Sequence, residues 1–286
     1  MPVIDGALVI EGGSLRCMFT AAVADVLLEN NMEFAYVNGV SSGSMTAMNY
    51  VSGQRGRMLE TVVRYLHDKR YMGLRHLISK RMYFNFDFSF GEMSDRLIPF
   101  DYDRFYASPQ RFEAVATRCK TGRTEYFEKG VCPDIISGIK ASSSMPILSR
   151  MIKVDHRLYL DGGISMPIAY RRAMELGYGK VVLILTRDAS YRKKPMSRAA
   201  LKAYARYFEP LPELLAAAME IPSRYNAMAE EIIRLENEGK IFVIRPEKPV
   251  TVSRMERNIG KLKELYGQGR DVAARRLPEL KRYLEL

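Results

Sequence analysis

Several features are scarce in this chain, and each scarcity narrows what the protein can be. Of its 286 residues only three are cysteines, an odd number without a C-x-x-C spacing. This argues against a disulfide framework and against a zinc cluster. No apolar run approaches the roughly 18 residues of a membrane-spanning helix. The amino terminus has no basic region followed by an apolar stretch, so no signal peptide is expected. We therefore expect a cytoplasmic protein.

The content of apolar residues bounds the size of the core. At 286 residues and 47% hydrophobic content, the chain can bury a large core and fits one domain over residues 1–286. Buried-strand runs at 7–10, 181–185 and 241–244 alternate with helical stretches. This alternation predicts an α/β fold with a largely parallel, helix-covered sheet.

The segment Gly39-Val40-Ser41-Ser42-Gly43 has the small-x-Ser-x-small pattern that presents a nucleophilic serine on a tight turn from strand to helix. The residues before it are apolar and β-branched, as in a strand, and those after it can form a helix. Such a turn leaves almost no room for a β-carbon at its flanks. The pattern predicts Ser41 as nucleophile, with Gly39 and Gly43 forming the elbow.

A serine hydroxyl needs a base to become a nucleophile, and the usual base is histidine. The chain has 3 histidines, and none follows His156, although a Ser-acid-His chain order would require a late one. His67 lies in a charged helical stretch and His156 in a predicted hairpin turn, so we expect both at the surface. A histidine-dependent triad is therefore disfavoured.

Asp161 is the better base candidate. It ends the strand-like residues 157–160 and is followed by Gly162 and Gly163, which let the backbone turn sharply. Burial beside a serine would raise the proton affinity of such an aspartate. The alternative is an ordinary turn, since Asp-Gly-Gly is common turn chemistry.

A glycine-rich loop between the first strand and the first helix supplies a third element. It reads Glu11-Gly12-Gly13-Ser14-Leu15-Arg16, and its backbone amides can form a nest for an anion such as the oxyanion of acyl transfer. Arg16 could reinforce the same charge. Nucleotide or phosphate binding is a weaker interpretation, because neither glycine fingerprint of those sites is present.

Positive charge is unevenly placed along the chain, whose net charge is +11. Residues 187–206 hold seven basic residues against one aspartate, and residues 254–286 hold nine against five acidic ones. Such stretches attract anionic lipid headgroups or nucleic acid phosphates. A solvated basic face is the alternative. No helix-turn-helix, zinc-finger or RNA-binding signature favours nucleic acid.

Taken together, the glycine-rich loop, G-x-S-x-G, the distal Asp-Gly-Gly and the absence of a usable histidine resemble the patatin-like phospholipase family. The resemblance extends through the Ala-Ser-Ser segment of residues 139–146 and covers nearly the whole chain. It implies a three-layer α/β/α fold, with residues 5–170 carrying the catalytic motifs. Residues 171–286 would complete the sheet and form a basic helical C-terminal part.

For the site, the resemblance implies a Ser-Asp dyad of Ser41 as nucleophile and Asp161 as base. Gly12, Gly13, Ser14 and Arg16 would form the oxyanion and substrate-binding loop. The family pattern Gly-Gly-Gly-x-Arg-Gly is altered here, because Ser14 stands for the third glycine and Cys17 for the last. A positive φ at position 14 would cost a serine on the order of 1–2 kcal/mol.

We therefore expect a serine lipid acyl hydrolase, a phospholipase A or lysophospholipase-like esterase, that forms an acyl-serine intermediate and needs no metal or organic cofactor. Its partners would be a lipid or acyl-ester substrate and, peripherally, the anionic inner membrane surface. Two alternatives stay open. One is a non-catalytic lipid or acyl-ligand binding protein that keeps the fold, and the other, ranked last, is nucleic acid binding through the basic stretches.

Overall fold

A mixed sheet organises the computed structural model, which describes residues 3–286. Within these residues the sheet has eight strands in the order β5-β6-β3-β2-β1-β7-β8, and β4 pairs with β3. The strands are β1 Ile4–Ile10, β2 Phe34–Val40, β3 Arg111–Arg118, β4 Thr124–Glu128, β5 Ile152–Val154, β6 Arg157–Asp161, β7 Val181–Ile184 and β8 Phe242–Ile244.

The strands that precede the glycine-rich loop and the Ser41 turn, β1 and β2, are parallel, whereas β6, which ends in Asp161, is antiparallel to its neighbours. β1 pairs in parallel with β2 and β7, β2 with β3, and β7 with β8. β4 and β6 run antiparallel to β3, and β5 runs antiparallel to β6. The expected largely parallel α/β sheet is thus confirmed, with antiparallel strands on the β3 side.

Helices surround the sheet. They are α1 Cys17–Glu29, α2 Ser42–Val51, α3 Arg57–Tyr65, α4 Leu74–Lys80, α5 Phe86–Ser89, α6 Tyr102–Ala107, α7 Ile135–Ser142, α8 Tyr170–Glu175, α9 Arg198–Tyr207, α10 Pro212–Met219, α11 Ile221–Asn237 and α12 Ile259–Leu284. Short 3-10 turns cover Ser14–Arg16 and Gly162–Ile164, and a π-helix covers Met93–Leu97.

Both faces of the sheet are buried, which gives the three-layer α/β/α arrangement. Along β1, Leu8 and Ile10 pack into one apolar cluster with residues of α1, α2 and α12, whereas Ala7 and Val9 pack into another with residues of α8 and α11. This follows from the period-2 alternation of a strand and explains why β1 is apolar at every one of these positions.

The Tyr-, Phe- and Met-rich stretch over residues 69–108 folds into short helical segments between α3 and β3. Several of its aromatic residues are buried in the main core, as Phe88 and Phe105 are, while Leu74 and Ile78 are exposed. Other aromatic residues of the stretch, Phe84, Phe86 and Phe90, line a cavity described below.

No helix within residues 3–286 combines the length and the apolar content needed to cross a membrane.

Candidate active site

Ser41 occupies the turn from β2 into α2, as its motif predicted. Its backbone has φ 57° and ψ −131°, a conformation that costs a residue with a side chain on the order of 1–3 kcal/mol. Two hydrogen bonds hold it there. The Ser41 amide donates to Ser142 Oγ at 2.9 Å, and Ser44 Oγ donates to the Ser41 carbonyl oxygen at 2.6 Å.

The two elbow glycines are required by close backbone approach. A β-carbon on Gly39 would lie 2.4 Å from the Gly43 carbonyl oxygen, and one on Gly43 would lie 2.3 Å from the Ile10 carbonyl oxygen. Neither neighbour is a movable side chain. Only glycine at both positions lets the first turn of α2 sit against the ends of β1 and β2.

Asp161 accepts a hydrogen bond from the serine. Ser41 Oγ donates to Asp161 Oδ2 at 2.6 Å, although the two residues are 120 positions apart. The other carboxylate oxygen, Oδ1, accepts from the Gly163 amide at 2.7 Å. Thr117 on β3 donates its hydroxyl to the Asp161 carbonyl oxygen at 2.9 Å and fixes the end of β6. The carboxylate is therefore anchored on one oxygen and in contact with the serine on the other.

Asp161 is buried, with 7% of the residue exposed. Burial raises its pKa above the ordinary aspartate value, while the hydrogen bonds from Ser41 and Gly163 oppose the rise. A carboxylate with a raised pKa that touches a serine hydroxyl can accept the hydroxyl proton.

The glycine-rich loop packs directly on the serine. A β-carbon on Gly12 would lie 2.4 Å from the Val40 carbonyl oxygen and 2.7 Å from Ser41 Cβ. The Gly13 amide is engaged, since it donates to Ser42 Oγ at 3.0 Å. Ser14 has φ 53°, the left-handed conformation that a glycine would adopt freely, and its Oγ donates to the Arg254 carbonyl oxygen at 2.7 Å.

Arg16 and Cys17 follow the loop. Arg16 is 8% exposed, and its Nε is buried without a hydrogen-bond partner among the described residues. Burial, followed by the charges of Arg187 and Arg254, lowers the pKa of Arg16 to about 10. Cys17 is the buried first residue of α1, and burial raises the pKa of its thiol to about 12. Its thiol is therefore protonated near neutral pH.

Two cavities meet at Ser41. The larger, of about 320 Å³, has a polar wall, and the smaller, of about 90 Å³, is lined mainly by apolar side chains. Ser14, Ser41 and Met145 line both. The polar wall of the larger cavity includes Glu11, Arg16, Asp161, Thr186, Arg187, Tyr191, Lys193, Tyr204, Tyr225 and Arg254. Apolar residues of the smaller include Met45, Met48, Met58, Val62, Tyr71, Phe84, Phe86, Phe90 and Met93.

The histidines lie away from this junction. His67 and His156 are exposed, and the buried His76 places Nε2 2.6 Å from the Lys69 carbonyl oxygen. None of the three lines either cavity. Within residues 3–286, no group of three or more histidine, cysteine, aspartate or glutamate side chains could hold a metal ion.

The larger cavity is also lined by residues that the sequence analysis did not assign to the site. Arg187 and Lys193 belong to the basic stretch of residues 187–206, which was predicted to face anionic lipid, nucleic acid or solvent, and Arg254 belongs to the other basic stretch. The sequence showed that these residues are charged, but it did not show that their side chains face the cavity. The roles of Ser42 and Ser142 were also not predicted, although both residues lie within recognised motifs. Ser42 Oγ accepts from the Gly13 amide, and Ser142 Oγ accepts from the Ser41 amide.

Comparisons with known proteins bear on the family and the fold of the chain. The family model described as Patatin-like phospholipase matches residues 8–173, and a domain of unknown function (DUF6363) matches residues 211–285. The uncharacterized protein YjjU of Escherichia coli (strain K12) is 26% identical over 271 residues, which is 92% of this chain and 74% of YjjU. The crystal structure of VipD from Legionella pneumophila shares the fold, with a TM-score of 0.51 at 12% identity over 96% of this chain and 67% of VipD.

Proposed function

Because the chain belongs to the patatin-like phospholipase family, we propose that it is a serine lipid acyl hydrolase that uses Ser41 and Asp161 as a dyad. The observation that carries the proposal is the 2.6 Å hydrogen bond from Ser41 Oγ to Asp161 Oδ2 at the junction of the two cavities. A nucleophile and its base must lie within hydrogen-bond reach, and here they do.

In the first half of the reaction, Ser41 Oγ attacks the carbonyl carbon of the ester while Asp161 takes the hydroxyl proton. A tetrahedral intermediate forms, and its oxyanion would be stabilised by the amides of the glycine-rich loop and by Arg16. The carbon–oxygen bond to the leaving alcohol then breaks, and Asp161 returns the proton to that alcohol. The acyl group stays on Ser41.

In the second half, water attacks the acyl-serine carbonyl and Asp161 accepts a proton from it. The new tetrahedral intermediate collapses, the free fatty acid leaves, and the proton passes to Ser41 Oγ. Asp161 suits both steps because Oδ1 is held by the Gly163 amide while Oδ2 stays available to the reacting oxygen. The apolar cavity beside Ser41 would receive the acyl chain.

The decisive test is labelling by a fluorophosphonate probe together with turnover of a p-nitrophenyl ester. The intact protein should label and turn over, whereas Ser41→Ala should do neither, and Asp161→Asn should fall to near background in both. Ser79→Ala and Asp155→Asn change exposed residues of the same types and should match the intact protein. Unchanged turnover by Ser41→Ala would remove the proposal.

A second candidate is a non-catalytic protein that binds lipid or acyl ligands in the same cavities. The engagement of the Gly13 amide by Ser42 Oγ favours it, since that amide would not be free for an oxyanion. This candidate predicts that the intact protein neither labels nor turns over, yet binds a fatty acid. Labelling and turnover of the intact protein therefore separate the two, and Ser42→Ala is a second test, because freeing the Gly13 amide should raise turnover only in an enzyme.

We also propose that the protein acts at the surface of anionic membranes, in the cytoplasm and without a cofactor. The support for the membrane contact is α9, whose Arg198, Lys202 and Arg206 are exposed and which buries none of its side chains. Nucleic acid binding through the same charges stays the lower-ranked alternative, and competition between vesicles and DNA would distinguish them.

A further inference from the structure

Four basic side chains line the larger cavity: Arg16, Arg187, Lys193 and Arg254. None of the four forms a salt bridge with a carboxylate in the part of the chain that the structure describes. Arg192, one residue before Lys193, pairs with Glu230 at 2.6 Å, so a carboxylate partner is available beside this stretch. Exposed cations such as Lys194 and Arg198 are also unpaired within residues 3–286, but they face solvent, whereas the four cavity cations face one another.

Arg187 and Lys193 contact a carbonyl oxygen and aromatic rings, which hold the side chains in place but do not neutralise their charge. Arg187 donates to the Val250 carbonyl oxygen at 3.0 Å and lies 4.3 Å from the ring centre of Tyr191. The Lys193 ammonium lies 4.4 Å from the ring centre of Tyr225. Arg16 is more than nine-tenths buried, lines the cavity and leaves its Nε without a partner.

This clustering has an electrostatic cost. Burial and the charge of Arg254 lower the pKa of Lys193 to about 8, and Arg187 and Arg254 contribute to the lowered pKa of Arg16. Like charges held together in a partly buried site raise the free energy of the empty cavity. A bound anion would offset that cost.

Two carboxylates share the cavity, and both are already engaged. Glu11 is buried, and its Oε2 accepts from the Thr186 amide at 2.7 Å and from Thr186 Oγ1 at 3.0 Å. Asp161 accepts from Ser41 and Gly163. With four cations against these two carboxylates, the cavity keeps a net positive charge, so it attracts anions.

We propose that this cavity binds the phosphate of an acidic headgroup, so that the substrate is an ester with a terminal phosphate on one side of the scissile bond and an acyl chain on the other. The inference rests on the proposed function, because it assumes that the ester lies at Ser41. From there the acyl chain enters the apolar cavity, and the headgroup enters the cationic one. Arginine and lysine are the residues that bind phosphate best, through charge-assisted hydrogen bonds.

The same geometry disfavours a choline headgroup. A quaternary ammonium would be repelled by the four cations, and it needs open aromatic faces to bind. Two of the three tyrosines in the cavity, Tyr191 and Tyr225, already have a basic side chain of this protein within 4.4 Å of the ring centre. The headgroup site therefore selects against a cation as well as for an anion.

The test measures binding to Ser41→Ala, so that it does not depend on turnover. Three lipids of equal chain length serve as probes: 1-acyl-glycerol 3-phosphate, 1-acyl-glycerophosphocholine and 1-monoacylglycerol. We expect the first to bind at least about tenfold more tightly than the others, the effect of a charge-assisted hydrogen bond. Glycerol 3-phosphate should displace it, and glycerol should not. Equal affinities for the three lipids would overturn the proposal.

Matched variants in the Ser41→Ala background locate the site. Lys193→Gln and Arg254→Gln should each weaken the acidic lipid about tenfold or more and leave monoacylglycerol binding less affected. Lys194→Gln and Arg257→Gln change exposed basic residues that do not line the cavity, and they should have no such effect. Arg254 is exposed, so its variant should fold even if Lys193→Gln does not.

The outcomes separate this inference from the proposed function. If fluorophosphonate labelling fails but the preference for the acidic lipid persists and depends on Lys193, the headgroup site stands and the hydrolase proposal falls. If labelling succeeds and the three lipids bind alike, the hydrolase stands and the headgroup site falls. Displacement by inorganic phosphate without any preference among the lipids would indicate a site for the free anion, which also contradicts the proposal.

Discussion

Individual residues at the site are held in unfavourable states. Ser41 and Ser14 have positive φ angles of 57° and 53°, and Asp161 is a buried carboxyl group whose pKa is raised. Hydrogen bonds to Ser142, Arg254 and Gly163 hold them there. Such strain is typical of functional sites, where the surrounding fold over-determines the conformation. Ser14 keeps the left-handed backbone conformation although it stands where the family has glycine.

Asp161→Asn should increase stability near neutral pH while it removes turnover. Burial raises the folded-state pKa of the carboxyl group, so its ionisation is less favourable in the folded protein than in the unfolded chain. The penalty is absent below the unfolded-state pKa and grows until pH exceeds the folded-state pKa. The melting temperature of the variant minus that of the intact protein should therefore rise as pH increases from about 4 towards neutral.

Thermal unfolding followed by circular dichroism over this pH range measures the difference. Asp155→Asn is the control, since Asp155 is exposed and should give a difference that varies little with pH. A difference for Asp161→Asn that is independent of pH would contradict the raised pKa.

Lys193 should give the headgroup preference its own pH dependence. Its pKa is lowered to about 8, chiefly by burial and then by Arg254, so the ammonium loses its proton as pH rises through that value. The ratio of kcat/KM for an acidic ester to that for a neutral ester should fall above a pH of about 8. Lys193→Gln should have a lower ratio without this alkaline fall. A persistent fall in that variant would assign the titration to another group.

At the scale of elements, the contact between α1 and α12 depends on Gly269. A β-carbon at this position would lie 2.7 Å from the Phe19 carbonyl oxygen and 2.8 Å from Ala22 Cβ. Gly269→Val should therefore force the helices apart and cost about 1–3 kcal/mol of unfolding free energy, measured by urea denaturation. Gly267→Ala on the same helix meets no atom within 4 Å, and alanine favours helix, so it should be neutral or stabilising.

Residues of α2, α3 and α5 line the apolar cavity. Met58 on α3 lines it and is partly buried, so Met58→Trp should fill part of its volume of about 90 Å³. We expect turnover of p-nitrophenyl esters with long acyl chains to fall more than turnover of acetate or butyrate esters. An equal loss for all chain lengths would indicate that the acyl chain lies elsewhere.

The whole molecule carries a net charge of +11, which predicts electrostatic binding to anionic vesicles. Arg198→Gln, Lys202→Gln and Arg206→Gln combined should weaken binding by up to about 3 kcal/mol, roughly a hundredfold, at low salt. Co-sedimentation with phosphatidylglycerol vesicles over a salt series measures this. The same change at Lys261, Lys263 and Lys281 of α12 is the matched control, and an equal loss there would place the contact elsewhere.

The sequence by itself determined the features whose signals are local. A G-x-S-x-G turn has space only for glycine at Gly39 and Gly43, and a strand that is followed by Gly-Gly places its last residue, Asp161, at the strand end, so these residues could be identified without a structure. The parallel sheet was equally readable, because a strand buried on both faces is apolar at consecutive positions.

Only the tertiary structure decided which distant groups meet and which way charges face. Pairing of β3 with β6 brings Asp161 to Ser41 across 120 residues, and Ser42 engages the Gly13 amide. The sequence showed that residues 187–206 are strongly basic, but it did not show which way each side chain faces. Arg187 and Lys193 face the cavity, whereas the basic residues of α9 face solvent. The physical reason is that the local sequence around a charged residue does not indicate whether its side chain faces a cavity or solvent. That direction is set by the side chains that pack beside it, here Tyr191 and Tyr225.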